Sequence, residues 1–232
     1  MEQSLPVICV DGPSGSGKGS LCHRLSSILG FHLLDSGALY RLTALAARRQ
    51  GISLADQAAV AAVARNLDVG FEVRDADPPV QARLEGSSVD RQLRSEQCAS
   101  DASTLATYPA VREALLDKQR SFRQSPGLVA DGRDMGTVVF PDAQLKIFLT
   151  ASPEERADRR HKQLIAKGIN ANLRALLKEI KVRDERDRSR STAPLKPAVD
   201  AILIDTSGVS LDSVCEQVLA LVAGKGITAE SS

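Results

Sequence analysis

Val7-Ile8-Cys9-Val10-Asp11-Gly12-Pro13-Ser14-Gly15-Ser16-Gly17-Lys18-Gly19-Ser20 decides how the rest of the chain is read. An apolar, mostly β-branched run leads into a glycine-rich turn, then a lysine, then Leu21, Leu25, Ile28 and Leu29 at helical spacing. That is a strand, a loop and a helix in the order a phosphate-binding P-loop requires. Glycines let the backbone curl so that several N–H groups converge on one concavity, and the positive end of the helix dipole adds to it. Four residues separate Gly12 from Gly17, and Lys18 follows as a point charge for the terminal phosphates. A flexible Gly/Ser linker would not be flanked by a buried strand and an amphipathic helix.

Most P-loops place Ser or Thr directly after the lysine, where its hydroxyl holds Mg²⁺. Here Gly19 stands there and Ser20 comes one place later. Lys-Gly-Ser/Thr marks a sub-class in which small-molecule and nucleotide kinases are common, and it speaks against a nucleotide-driven switch.

With 232 residues the chain is long enough for a sizeable core. Thirty basic and 29 acidic residues balance, which argues against a sequence-independent nucleic-acid binder. Of the basic residues 21 are Arg and 9 are Lys, a bias toward the planar fork suited to phosphates and carboxylates, though the codon usage of a GC-rich genome would also produce it. Cys9, Cys22, Cys98 and Cys215 are scattered without CxxC spacing, and there are three histidines, so reduced thiols are expected and a zinc site is not. The first strand begins within a few residues of Met1 and no apolar run reaches membrane-spanning length, so a cytoplasmic protein is expected.

Strands are expected at Val7–Val10, His32–Leu34, Leu128–Ala130, Leu145–Leu149 and Ala201–Ile204. Helices are expected over 18–29, 38–49, 54–65, 109–123, 153–167, 171–188 and 210–222. Alternation of this kind predicts an α/β fold with a five-stranded parallel sheet covered on both faces. Residues 67–89 break it: Leu67–Val73 and Val80–Leu84 alternate with period two around Asp75-Ala76-Asp77-Pro78-Pro79, predicting an antiparallel hairpin insert. The last eight or so residues are expected to fray.

A loop that binds a donor phosphate implies an acceptor site at the carboxyl ends of the strands. Asp35-Ser36-Gly37-Ala38-Leu39-Tyr40-Arg41 follows the second strand; Ser36 is a candidate helix cap and Arg41 a candidate phosphate ligand, against a plain cap with a solvated arginine. Ala130-Asp131-Gly132-Arg133-Asp134-Met135-Gly136-Thr137 concentrates charge between glycines after the third strand, which folding alone does not require. Arg183, Asp187 and Arg190 share a helical face at i, i+4 and i+7; a solvated salt-bridged face competes with a phosphate-neutralising role. Arg156, Arg159 and Arg160 follow the fourth strand, where a lid would close over the donor, or where a merely exposed helix would lie.

Taken together, these motifs resemble bacterial cytidylate kinases, of the nucleoside monophosphate kinase superfamily, over residues 5–222. The resemblance rests on Asp11–Gly19, Leu34–Arg41, Pro109–Leu115, Asp131–Pro141 and Arg183–Arg188. It implies a single P-loop kinase domain over 1–228 with an acceptor-binding insert near 63–103, a short helical lid near 154–170 and a frayed tail at 229–232. It implies ATP on Gly12, Pro13, Ser14, Gly15, Ser16, Gly17, Lys18, Gly19 and Ser20, with Arg159 from the lid. Ser36, Arg183 and Asp187 would contact the sugar, and Arg41, Arg133 and Arg190 the acceptor phosphate. Ser103, Arg112 and Asp134 would read the base, and Lys18, Arg133, Arg183 and Arg190 would stabilise the transferring group. The partners implied are ATP, CMP and dCMP, without nucleic acid or membrane, on a monomer. Mg²⁺ is expected on phosphate oxygens and water, with no direct protein ligand named. Asp134 suits the exocyclic amine of cytosine, whereas uracil would set a carbonyl against it, a mismatch of about 1–3 kcal/mol. Another P-loop small-molecule kinase is the rival within enzymes, and it leaves the hairpin insert and Asp134 unexplained.

Overall fold

β1 (Val7–Asp11) is buried at all five positions, as a strand flanked on both sides in a parallel sheet must be. It belongs to a computed structural model that describes residues 5–73, 80–93, 95–166 and 168–228. After β1 come α1 (Lys18–Leu29), β2 (His32–Asp35), α2 (Ser36–Arg49), α3 (Gln57–Arg65), β3 (Val69–Val73), β4 (Val80–Leu84) and β5 (Ser87–Ser88). Then follow α4 (Asp90–Leu93), α5 (Glu96–Leu105), α6 (Pro109–Arg120), β6 (Leu128–Gly132), a π-helical turn (Met135–Val139) and β7 (Leu145–Thr150). α7 (Pro153–Ala166), α8 (Leu173–Arg188), β8 (Ile202–Asp205) and α9 (Leu211–Gly224) complete the order. No described helix is long and apolar enough to cross a membrane. By compactness the chain divides into two units, Met1–Leu34 with Phe122–Ser232, and Asp35–Ser121.

The first unit carries the five-stranded parallel sheet, in the order β2-β6-β1-β7-β8. Val7 pairs with Leu128 and Asp11 with Gly132, while Ile8 pairs with Leu145 and Asp11 with Phe148. The strands run parallel, β7 and β8 reaching two residues beyond β1 and β6, so the loops after β1, β6 and β7 emerge at one edge. Ile8, Val10, Val129 and Ile147 meet Leu21, Cys22 and Leu25 of α1 and Val214, Val218 and Val222 of α9 in one core. Each large apolar side chain buried there contributes roughly 1.5–3 kcal/mol. Gly12 leaves β1 at φ +146, and a Cβ at that position would lie 2.2 Å from the Leu149 carbonyl oxygen. The loop can turn beside β7 only because that atom is missing.

The second unit pairs α3 with α6 and α2 with α5, beside the antiparallel sheet β3-β4-β5. The expected hairpin is present, with Val69 opposite Leu84 and Val73 opposite Val80. Its expected turn at Asp75–Pro79 lies outside the described residues, as does the tail 229–232. A third strand was not expected. β5 returns through Glu85 and Gly86, both at positive φ (51 and 74), the conformation of a two-residue hairpin turn. The short helices α4 and α5 were also not expected, and Ser95 caps α5 by accepting from Cys98 N. Asp56 does the same for α3, so that helix starts at Gln57 rather than 54.

Candidate active site

The loop between β1 and α1 closes on itself through Pro13. Its carbonyl accepts from Lys18 Nζ at 2.8 Å and from Ser16 Oγ at 3.0 Å. Thr206, just after β8, donates from its hydroxyl toward Ser16 O and Thr150 O, each at 3.1 Å, and so ties the loop to the sheet edge. Arg159 donates to that hydroxyl at 3.1 Å, to Thr206 O, and to Glu155 at 3.0 Å. The expected donor ligand Arg159 is thus placed at the loop by Thr206, a residue with no motif around it. Burial pushes the Lys18 ammonium down to about 7, with Arg133 adding and Asp131 opposing. That influence places Lys18 within electrostatic reach of Arg133 and Arg183.

Asp11 closes β1 and is buried. Its two carboxylate oxygens accept from Met135 N at 2.8 Å and Gly136 N at 2.9 Å. Burial pushes its carboxyl up to about 7 against those two hydrogen bonds, and the Asp134 charge adds to the rise. The root of the phosphate loop is therefore bonded to the π-helical turn that follows Arg133 and Asp134. An acid ending an otherwise apolar strand was the available signal, and reading it only as part of the P-loop motif hid its role.

Asp187 on α8 gathers the arginines. It accepts from Arg133 Nε at 3.2 Å and pairs with Arg190 Nη2. Burial alone would raise the Asp187 carboxyl, but Arg133, Arg190 and Arg183 overcome it and hold it below its ordinary range. The Nε of Arg190 is buried without a hydrogen-bond partner among the described residues. Asp134 is buried at 4 % exposure, placed at the start of the π-helical turn. The expected helical face does not extend to Arg190: α8 ends at Arg188, with Ser189 as its cap, and Arg190 reaches back to Asp187 from the following loop. Ser189, Ser191, Thr192 and Pro194 are poor helix formers, which accounts for the stop.

In the 35–121 unit, Asp35 rather than Ser36 caps α2, accepting from Ala38 N at 2.9 Å. Ser36 already lies inside the helix, and its Oγ donates to the buried Gln119 at 2.7 Å. Arg41 folds over Gly37 onto Asp35, at 2.8 Å, a half-buried ion pair at the strand end rather than a fully solvated arginine. Ser103 and Arg112 are both buried, on α5 and α6, and Arg112 donates to Ala106 O at 3.3 Å.

Arg156 departs most from expectation. It does not lie on a merely exposed helix: it is 1 % exposed and forked onto the buried Asp184 of α8, a residue of the Arg183–Arg188 run to which no role was assigned. Ile165 near the end of α7, Ile169 after it and Leu173 at the start of α8 are exposed.

Among the described residues no group of three or more His, Cys, Asp or Glu clusters as a metal cage. The acid beside the loop is Asp131, whose Oδ2 lies 3.5 Å from where a Cβ on Gly19 would stand.

A family model described as cytidylate kinase matches residues 8–224. The cytidylate kinase of Aeromonas hydrophila is 56% identical over 220 residues, covering 95% of each chain. That of Pseudomonas savastanoi pv. phaseolicola is 56% identical over 227 residues, 98% of this chain and 99% of the relative. The cytidylate kinase of Nitrosomonas europaea is 54% identical over 222 residues, 96% of this chain and 97% of its own. With this similarity running from the phosphate loop through the Asp187 cluster to α9, the chain belongs to the cytidylate kinase family.

Proposed function

We propose that the chain transfers the γ-phosphoryl group of ATP to CMP or dCMP, giving ADP and CDP or dCDP. The observation that carries this reading is the set of cations at one sheet edge. Lys18 sits buried on the phosphate loop, its ammonium lowered first by burial and then by Arg133 and Arg183, and Arg133 and Arg190 converge on Asp187. Phosphoryl transfer needs that kind of electrostatic preorganisation and little covalent chemistry.

In the mechanism, backbone N–H groups of the 14–20 segment and the Lys18 ammonium hold the donor phosphates, with Gly12 and Pro13 shaping the turn and Arg159 alongside. Arg133, Arg183 and Arg190 stabilise charge spread over the equatorial oxygens of the transferring group. A phosphate oxygen of the acceptor is the nucleophile and is already ionised near neutral pH, so the chain supplies no general base. In the 35–121 unit, Ser36 would contact the sugar, Arg41 the acceptor phosphate, and Ser103 and Arg112 the base. Asp134 would accept from the cytosine amine, and Asp187 from ribose hydroxyls. Asp187 keeps lone pairs for this because each of its oxygens receives one arginine.

A nucleotide-borne Mg²⁺ would neutralise charge on the β- and γ-phosphates. The donor set fits an ion carried largely by phosphate oxygens and water: Gly19 has no hydroxyl, both oxygens of Asp11 are taken, and Asp131 stands beside the loop, where it would hold such an ion through water.

The test is ADP release from ATP·Mg²⁺ with CMP, dCMP, UMP, AMP and shikimate as acceptors. Strong turnover with CMP and dCMP, weak with UMP and none with AMP or shikimate is the expected pattern. Preference for any other acceptor refutes the base-reading assignment.

A further inference from the structure

Arg156, in the first turn of α7, was expected on a lid over the donor or on a merely exposed helix, and its side chain is the largest buried below 2 % exposure among the described residues. Four contacts surround it. Nε donates to Ala151 O at 3.0 Å, Nη1 to Ser14 O at 3.0 Å and to Asp184 Oδ1 at 2.9 Å, and Nη2 to Asp184 Oδ2. One planar group therefore joins the end of β7, the tip of the phosphate loop and α8.

A buried ion pair is a poor way to gain stability, because apolar residues of the same volume commonly do as well. What the pair does uniquely is fix geometry. In a trans peptide the carbonyl and the following N–H point in opposite directions. Holding the Ser14 carbonyl on Arg156 therefore aims the Gly15 N–H away from α7. Gly15 itself is at φ +80, a conformation strained for any side chain, and a Cβ there would come 3.2 Å from the Arg156 Cβ, so the loop backbone packs closely against the arginine stem. On the other side, Asp184 directly follows Arg183 and precedes Asp187 by three residues on the same helix.

We infer that Arg156 and Asp184 are positioning residues for phosphoryl transfer: the fork sets the Ser14–Gly15 peptide plane and holds it in register with the α8 segment bearing Arg183 and Asp187. The inference rests on the phosphoryl-transfer reading above. Planarity is what matters here. A lysine at 156 keeps the charge but, as a point donor on a flexible stem, does not hold a carbonyl and both carboxylate oxygens together.

The experiment compares Arg156→Lys, Arg156→Met and Asp184→Asn with the parent, and with Arg24→Ala, which removes an exposed ion pair to Asp212 on the same unit. Folding is checked by circular dichroism and Tm, and kcat, both KM values and the ATP Kd are measured on the folded protein. The expected result is a loss of kcat/KM for ATP of about tenfold or more in Arg156→Lys, the order set by misplacing one backbone donor. It should appear in kcat and in a weakened ATP Kd, with KM for CMP little changed, no rescue relative to Arg156→Met, and Arg24→Ala unchanged. A loss below about fivefold in Arg156→Lys, or a loss appearing only as a raised KM for CMP, overturns the inference. If Arg156→Met does not fold, Arg156→Lys decides; if neither folds, the pair is a folding element and the inference falls. Should the parent turn over no acceptor, the proposed function fails separately. The inference is then judged on ATP Kd alone, weakened about fivefold or more in Arg156→Lys for support and less for refutation.

Discussion

Replacing Asp187 by Asn removes one negative charge from among three guanidiniums while keeping the side chain's shape. Asp187 is 1 % exposed, Arg190 5 % and Arg133 19 %, so water cannot take over the screening. Breaking a buried pair from one side costs about 3–5 kcal/mol, because the remaining charge is left uncompensated. At roughly 2–4 °C per kcal/mol for a chain of this size, Tm at pH 7 should fall by roughly 10 °C. The pH dependence has a definite sign. The folded carboxyl lies below its ordinary value of 3.8, so it binds its proton less tightly folded than unfolded. Its stabilisation is therefore full above about pH 4 and is lost as pH falls through the lower folded value. The gap between parent and Asp187→Asn should be complete at pH 7 and close only in acid below pH 4. Thermal melts followed by circular dichroism at pH 7 and across pH 4 to 2.5 measure both quantities. A Tm within about 2 °C of the parent at pH 7, or a gap that does not narrow in acid, refutes the reasoning.

Asp134→Ala should lower the CMP-over-UMP ratio of kcat/KM by about 10- to 100-fold while leaving ATP affinity alone; an unchanged ratio removes Asp134 from base reading. Lys18 should take up protons when ATP binds: its ammonium lies at about 7, and phosphate charge raises it. Calorimetry in buffers of different ionisation heat should show uptake at pH 7.5, little at pH 6, and none in Lys18→Met. Gly12→Ala should not yield folded protein or should lose several kcal/mol, since its Cβ would fall 2.2 Å from Leu149 O; a variant melting with the parent contradicts the close approach.

The sheet was legible because each of its strands is a short apolar run followed by a glycine, a cap or charge, and because a P-loop has a local signature. Lys18, Arg133, Asp134 and Asp187 were legible as charge placed just past strand ends or late in a helix. What escaped depends on partners distant in sequence. Asp184 looks like one more acid in Arg183-Asp184-Glu185-Arg186, and only the fold shows it 28 residues from Arg156 and buried against it. Thr206 and Gln119 carry no pattern at all until Ser16 O and Ser36 stand beside them. The misplacement of Arg190 came from extending a 3.6-residue period through a segment whose serines and proline end the helix. Ser36 was misread as a cap because Asp35, one residue earlier, makes the same bond with a longer reach.

The most direct test of the central claim is to incubate the protein with ATP·Mg²⁺ and CMP and quantify all four nucleotides by chromatography over time. CDP appearing mole for mole with ADP, and no ADP without CMP, is the predicted result. ADP formed without CDP, or no consumption of CMP while ATP is bound, contradicts phosphoryl transfer to the cytidine nucleotide.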